Sequence, residues 1–398
     1  MKSKSYIFVI VIAIVAAFFI SNKDANDNSI DYSNGIPSHI TDEADDDNNN
    51  KPSTSYRSYY NQLTSEQKKF YDAILPVIAN AEKQVTFSNV NANTSDFKDD
   101  CFTATTAIQY DHPEYFWYTG GFSYSFSRMT FENNGTVVLE PIYYEYVSAL
   151  YNSKSQHSEL EKAVKNVASL ARSHSSNDYE RIMFVHDYLI ENAIYDHDAL
   201  KEYYKTSHNP SCEYIFSAYG CLVNKKTVCS GYAKAFQLIL QELGYECSYV
   251  TGDAGEAHGW NCVYLDGEGY YVDVTWDDYD LEHETPMYNY AFITSNALSR
   301  THTVDMLFPA PVCNATTYNY FRQNGYYCAD YSFKSASEIM SKQANNEAVH
   351  IQFGSLNDWE EAYNELIRNG KAANINGIDN FQKITYNKDH YTLTFFNP

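Results

Sequence analysis

Basic residues are scarce in this sequence. Its 28 lysines and arginines face 51 aspartates and glutamates, for a net charge of −23. Phosphate backbones repel such a surface and no basic cluster reverses the balance, so nucleic acid is excluded as a partner. Long apolar runs are scarce too: the N-terminal one, Tyr6 to Ile20, falls short of the ~20 residues of a comfortable membrane span. Neither a Cys-x-x-Cys pair nor a His-Glu-x-x-His motif occurs. The spacings of a zinc knuckle and of a metalloprotease helix are therefore missing, and no metal or other cofactor is expected. No repeat of convincing period occurs, which sets solenoids aside.

What is present indicates folded domains behind a leader. The chain has 398 residues, 44% of them hydrophobic, enough for two or three domains with cores of their own. Met1-Lys2-Ser3-Lys4 precedes the apolar run and polar Ser21-Asn22-Lys23-Asp24 follows it, so residues 1–22 read as a signal peptide or signal anchor. No cysteine lies near its end, which argues against a bacterial lipid anchor. Residues 23–56, centred on DEADDDNNNKPSTS, cannot bury enough apolar surface to fold and read as a disordered acidic linker. The expected location is secreted, or held at the extracellular face by a membrane tether through residues 6–20.

The rest divides into three parts. Residues 57–150 read as an α+β segment. A capping box at Thr64 opens a helix to about Gln84, kinked at Pro76, and Asn134-Gly135 turns a β-hairpin. Residues 151–312 begin with two helices. Leu160, Val164, Val167 and Leu170 line one, and Ile182, Val185 and Leu189 line the other behind a Ser176-Asn177-Asp178 cap. A polar loop, Tyr195 to Ser211, follows. Residues 313–398 read as a small βαβ-type module, with strand VHIQF, a helix from Asp358 to Arg368 and closing strand YTLTFF.

The chemistry concentrates between Asn224 and Asp278. Tyr232, Phe236, Ile239, Leu240 and Leu243 form a helical stripe that stops at Gly244, which places Cys229 at a helix N-terminus. Free backbone N–H groups there favour a thiolate and can receive an oxyanion. Strands His258–Leu265 and Glu268–Trp276 flank an Asp266-Gly267 turn, pairing Leu265 with Glu268. His258, Trp260, Cys262, Tyr271 and Asp273 then share one face, with His258 diagonal to Asp273. Val263, Leu265, Val272, Val274 and Trp276 share the core face. A thiol nucleophile, an imidazole base and a carboxylate that orients it suit attack on an amide carbonyl. The carboxylate run DVTWDDYDLEHE reads as a solvated loop, with attraction of a cationic substrate or binding of calcium as the alternatives.

The segments VCSGYAKAFQLILQELGYEC, HGWNCVYLDGEGYYVDVTWDD and YNYAFITSNALSRTHT resemble the transglutaminase-like superfamily, as does YERIMFVHDYLIENAIYD upstream. The similarity covers roughly residues 160–305 by motif order and spacing. It implies an α+β, papain-like core with cysteine on a helix and histidine and aspartate on adjacent antiparallel strands. By that resemblance Cys229 is the nucleophile, His258 the base and Asp273 the orienting acid. The family usually has His-Ala-Trp where this chain has His258-Gly259-Trp260, and often an acid where it has Ser230. Tyr219 is a candidate side-chain oxyanion donor, and Trp260 a candidate substrate contact against a packing role. The implied function is an exported thiol enzyme acting on amide bonds of proteins or cell-wall peptides, by hydrolysis or amine transfer. The alternative is a non-catalytic module on the same fold that binds glycan or protein. With Cys229 free, the other seven cysteines allow at most three disulfides. Cys313 with Cys328 is one plausible pair, and Cys247 and Cys262 are candidate sheet neighbours.

Overall fold

Local signals set most element starts. Thr64 caps α1 (Ser65–Ala79) in a capping box with Gln67. The helix stops short of Gln84 because Asn80 closes its last turn and Ala81 turns to φ 50°. The computed structural model describes residues 8–10, 58–90, 95–129, 135–143, 154–205, 210–278, 286–376, 378 and 381–396. The acidic linker 23–56 and most of the apolar leader lie outside them. Phe8–Ile10 forms β1, antiparallel to β3 (Tyr118–Met129). With β2 (Val85–Val90) and β4 (Gly135–Tyr143) the sheet runs β1-β3-β4-β2, and α2 (Ser95–Asp111) is linked to it through the same core. Among the described residues no helix is long and apolar enough to cross a membrane.

Helices α3 (Lys154–His174) and α4 (Asp178–Asn192) follow. Leu160, Val164 and Val167 are buried in α3, but Leu170 is 42% exposed. The stripe continues at i+11 through Ala171, which leaves Leu170 outside it. The expected loop Tyr195–Ser211 contains β5 (Ile194–Tyr195) at its start and helix α5 (His197–Lys205), whose Tyr203 is buried. After β6 (Lys226–Thr227), α6 (Cys229–Leu243) buries Tyr232, Phe236, Ile239 and Leu240 and ends on Gly244 at φ 95°.

The second sheet, β10-β7-β8-β9, lies beside α6. It comprises β7 (Cys247–Asp253), β8 (Ala257–Leu265), β9 (Glu268–Val272) and β10 (Thr303–Val304). Val263, Leu265 and Val272 enter the main core, which continues into the N-terminal segment through Ile74 and Ile108. The two parts also meet where Gln237 donates to the Tyr110 carbonyl at 2.9 Å. Helices α7 (Val274–Asp277), α8 (Ser295–Leu298) and α9 (Tyr320–Gln323) are short.

A separate core begins at Cys328. Here β11 (Tyr327–Cys328), α10 (Phe333–Ser341) and β12 (Ala348–Phe353) make a parallel βαβ unit. The helix α11 (Leu356–Ala362) runs into a π-helical turn over Tyr363–Arg368, and β13 (Lys383–Asn387) and β14 (Thr392–Phe396) complete the sheet.

Candidate active site

The helix stripe and the Asp266-Gly267 turn position this site. Cys229 is the first residue of α6, behind Val228, whose side chain offers no cap. Of the eight cysteines it alone is not buried. The turn sets Leu265 opposite Glu268, as expected, and Cys262 opposite Tyr271. His258 lies one residue inside β8, opposite Gly252 of β7.

Asp273 departs from the expected strand. β9 ends at Val272, and Asp273 becomes the N-cap of α7. Its Oδ1 accepts from the backbone N–H of Thr275 at 3.0 Å and of Trp276 at 3.2 Å. Its Oδ2 lies 2.7 Å from His258 Nε2. This leaves Nδ1 as the ring nitrogen available to Cys229, which lines the same groove as His258. The helical turn also moves Trp276 off the core face: its ring centroid is 5.7 Å from that of His258.

Electrostatics follow from this burial and pairing. Burial would lower His258, but the Asp273 carboxylate and the Cys229 sulfur outweigh it and hold the imidazole well above its usual range. Burial would raise Asp273, but contacts from His258 and His302 hold its carboxyl well below the usual range. Lys234, one and a half turns along α6, is buried beneath the Tyr249 ring and donates to the Phe216 carbonyl at 3.0 Å. Its burial pushes it down to about 8 against the opposing pull of Cys229.

Cys229 and His258 open onto a groove walled by Tyr195, Tyr204, Phe216 and Tyr249. Two expected participants lie elsewhere. Tyr219, the candidate oxyanion donor, stacks on Phe116 at 5.0 Å and donates to Glu159 Oε2 at 2.8 Å, facing α3 instead of the groove. Trp260, the candidate substrate contact, is 1% exposed and stacks behind His258 at 5.9 Å, so it shields the imidazole and does not line the groove.

The cysteine pairings and the acidic run also need correction. Cys313 lies with its sulfur 3.7 Å from Cys262, not beside Cys328, whose thiol donates to the Asp330 carbonyl. Cys247 and Cys262 face opposite sides of their sheet, in separate cores. The acidic run begins inside the protein: Asp277 is fully buried, 3.2 Å from His186 Nε2, and Asp278 accepts from the Tyr232 hydroxyl at 2.7 Å. Residues 279–284 of that run lie outside the described set.

Sequence reasoning missed His302. Its Nε2 is 3.1 Å from the same Asp273 Oδ2 that meets His258. The ligating atoms of His258, Asp273 and His302 lie within 4.8 Å of one another, close enough to suggest a metal set. Two ligands at ~2.0–2.1 Å from a tetrahedral ion stand about 3.3 Å apart. The 2.7 Å separation of His258 and Asp273 is instead that of a charge-assisted hydrogen bond.

Comparison with known proteins agrees with this fold. Residues 165–275 match the family model of the transglutaminase-like superfamily. Kyphoscoliosis peptidase from Mus musculus is 29% identical over 173 residues, 39% of this chain and 24% of that protein. The Homo sapiens kyphoscoliosis peptidase is 30% identical over 112 residues, 25% of this chain and 16% of that protein. The chain thus spans a quarter or less of the length of these curated relatives. A solved structure described as a crystal structure of a TGase aligns at 15% identity with a TM-score of 0.29, covering 38% of this chain and 43% of that one. With the family model spanning α6, β7, β8 and β9, the chain carries a domain of the transglutaminase-like superfamily.

Proposed function

We propose that this protein is a thiol enzyme that attacks amide bonds through Cys229, His258 and Asp273. One observation carries the reading: the single unburied thiol lines one groove with an imidazole that a buried carboxylate holds from behind. In this reading the Cys229 sulfur attacks the carbonyl carbon, and the free N–H groups at the start of α6 receive the oxyanion. The His258 imidazolium gives its proton to the leaving amine, and a thioester remains on Cys229. Water or a primary amine, deprotonated by His258, then releases the acyl group. The peptidase named among the relatives supports hydrolysis. The lysine-flanked apolar run and the acidic composition support an exported enzyme acting on proteins or wall peptides.

Alkylation by iodoacetamide at about pH 5–6, where ordinary thiols are protonated, tests the nucleophile. The wild type is expected to take one label at Cys229 and Cys229→Ala none. Equal labelling of the two proteins overturns the reading. Mass spectrometry of a Cys229 thioester after exposure to envelope peptides, with and without a labelled primary amine, then separates hydrolysis from transfer.

A further inference from the structure

His302 stands where a phenylalanine would satisfy packing. Its ring is 3% exposed and boxed by Trp260 at 4.9 Å, Trp276 at 4.6 Å and Tyr290 at 5.3 Å. Yet both ring nitrogens are engaged: Nε2 with Asp273 Oδ2 at 3.1 Å and Nδ1 with Thr301 Oγ1 at 2.8 Å. A buried imidazole in an aromatic box costs desolvation unless its polar atoms are used. Here one of them is spent on the carboxylate that holds His258.

The carboxylate is fully subscribed. Two backbone N–H groups occupy Oδ1, and two imidazole nitrogens share Oδ2. A carboxylate offers about four acceptor sites, so no vacancy remains. The shorter bond belongs to His258, which keeps the larger share of that oxygen.

We infer that His302 is a positioning residue that moderates how tightly Asp273 grips the His258 imidazolium. The inference rests on the catalytic reading of Cys229, His258 and Asp273. A second donor on Oδ2 withdraws electron density from the bond to His258, so the imidazolium can release its proton to a leaving group. Without that donor Oδ2 serves His258 alone, and the imidazolium is held to higher pH. The groups packed against His258 are Asp273, the Cys229 sulfur, His302 and the rings of Trp260 and Trp276, and Glu256, Tyr195, Tyr204 and Tyr249 line the groove it opens onto. His302 is thus the one titratable neighbour that reaches it from the segment between α8 and β10.

The test is the pH profile of Cys229 alkylation by iodoacetamide. In His302→Phe the alkaline step, where the imidazolium loses its proton, is expected to move up by about half to one pH unit while the acid step stays in place. His302→Gln, which restores an N–H donor, should return the step to its wild-type position. Should the Phe variant not fold, Thr301→Val carries the test. Loss of the hydroxyl weakens the Nε2–H donor, and a smaller shift in the same direction is expected. Superimposable profiles with a reactive Cys229 overturn the inference alone. A wild-type Cys229 as slow as the other thiols overturns the catalytic reading and this inference with it.

Discussion

At Gly259 a hydrogen atom occupies the place of a side chain, beside the proposed base. The residue pairs with Thr251 across β7, so it belongs to a regular strand and does not loosen the start of one. A Cβ there would stand 2.5 Å from Tyr249 Oη and 2.7 Å from its Cε2. Tyr249 has little freedom to yield: it is 1% exposed, edge-on to Tyr110 at 5.2 Å, with the Lys234 ammonium 5.5 Å from its ring. Gly259→Ala is therefore expected to destabilise the protein by about 1–3 kcal/mol, read as a lower denaturant midpoint. Because Tyr249 walls the groove, Cys229 alkylation should slow as well. Adding Tyr249→Phe removes the nearest atom and should recover part of the stability. An unchanged midpoint in the single variant would show that the ring swings clear.

Elements show how far the chain could be read in advance. The stripe behind Cys229 has the helical period, and Asp266-Gly267 is a two-residue turn, so both follow from local chemistry alone. The segment YYVDVTW alternates with period two and reads as strand to its end. Asp273 breaks it by capping the next two amides, a role its residue type favours but its pattern does not reveal. The two histidines that complete the surroundings had no local signal. His302 lies 29 residues from Asp273, and His186 lies 91 from Asp277. Together they secure α7: Asp273 caps its start, while Asp277 at its end meets His186 and accepts from the Tyr290 N–H at 2.9 Å. Burial alone would lower His186, but hydrogen bonds with Asp187 and Asp277 raise it to about 9. A raised imidazole contributes stability that is full below its unfolded value near 6.5 and is lost as pH climbs through about 9. The melting temperature should therefore fall across that window. In His186→Gln this component of the slope should vanish, whereas His186→Leu strands the Asp277 carboxylate and should cost about 3–5 kcal/mol. Parallel pH curves for wild type and His186→Gln would remove His186 as their cause.

On the scale of the whole molecule, the C-terminal module bears on the segment that carries His302. Tyr290 lies between His302 at 5.3 Å and His390 at 4.3 Å, while His350 meets the edge of Tyr288 at 5.4 Å. Thr392 donates to Asn289 at 2.6 Å across the same junction. Burial pushes His350 down to about 4, and burial, with Arg300 and His302 nearby, pushes His390 down to about 3. The sign is opposite to that of His186. A depressed imidazole stabilises the fold above its unfolded value near 6.5, and that stability is lost as pH falls toward about 4. Each pH unit of mismatch is worth about 1.4 kcal/mol, so the two buried imidazoles together withdraw several kcal/mol on acidification. The net charge of −23 acts the other way, because protonating carboxylates relieves self-repulsion. Only a comparison of variants isolates the imidazole contribution. His350→Phe removes the titration but also the bond to Thr394 Oγ1 at 3.2 Å, so it should melt lower than wild type at neutral pH. Between pH of about 6.5 and 4 its melting temperature should fall less steeply than that of the wild type. Hydrogen exchange should locate the wild-type loss first at β12 and β14 and then at the segment bearing Tyr290 and His302, with Cys229 alkylation declining in step. Equal slopes would show that the acid response arises elsewhere. A module that opens while alkylation holds steady would separate the C-terminal core from the site.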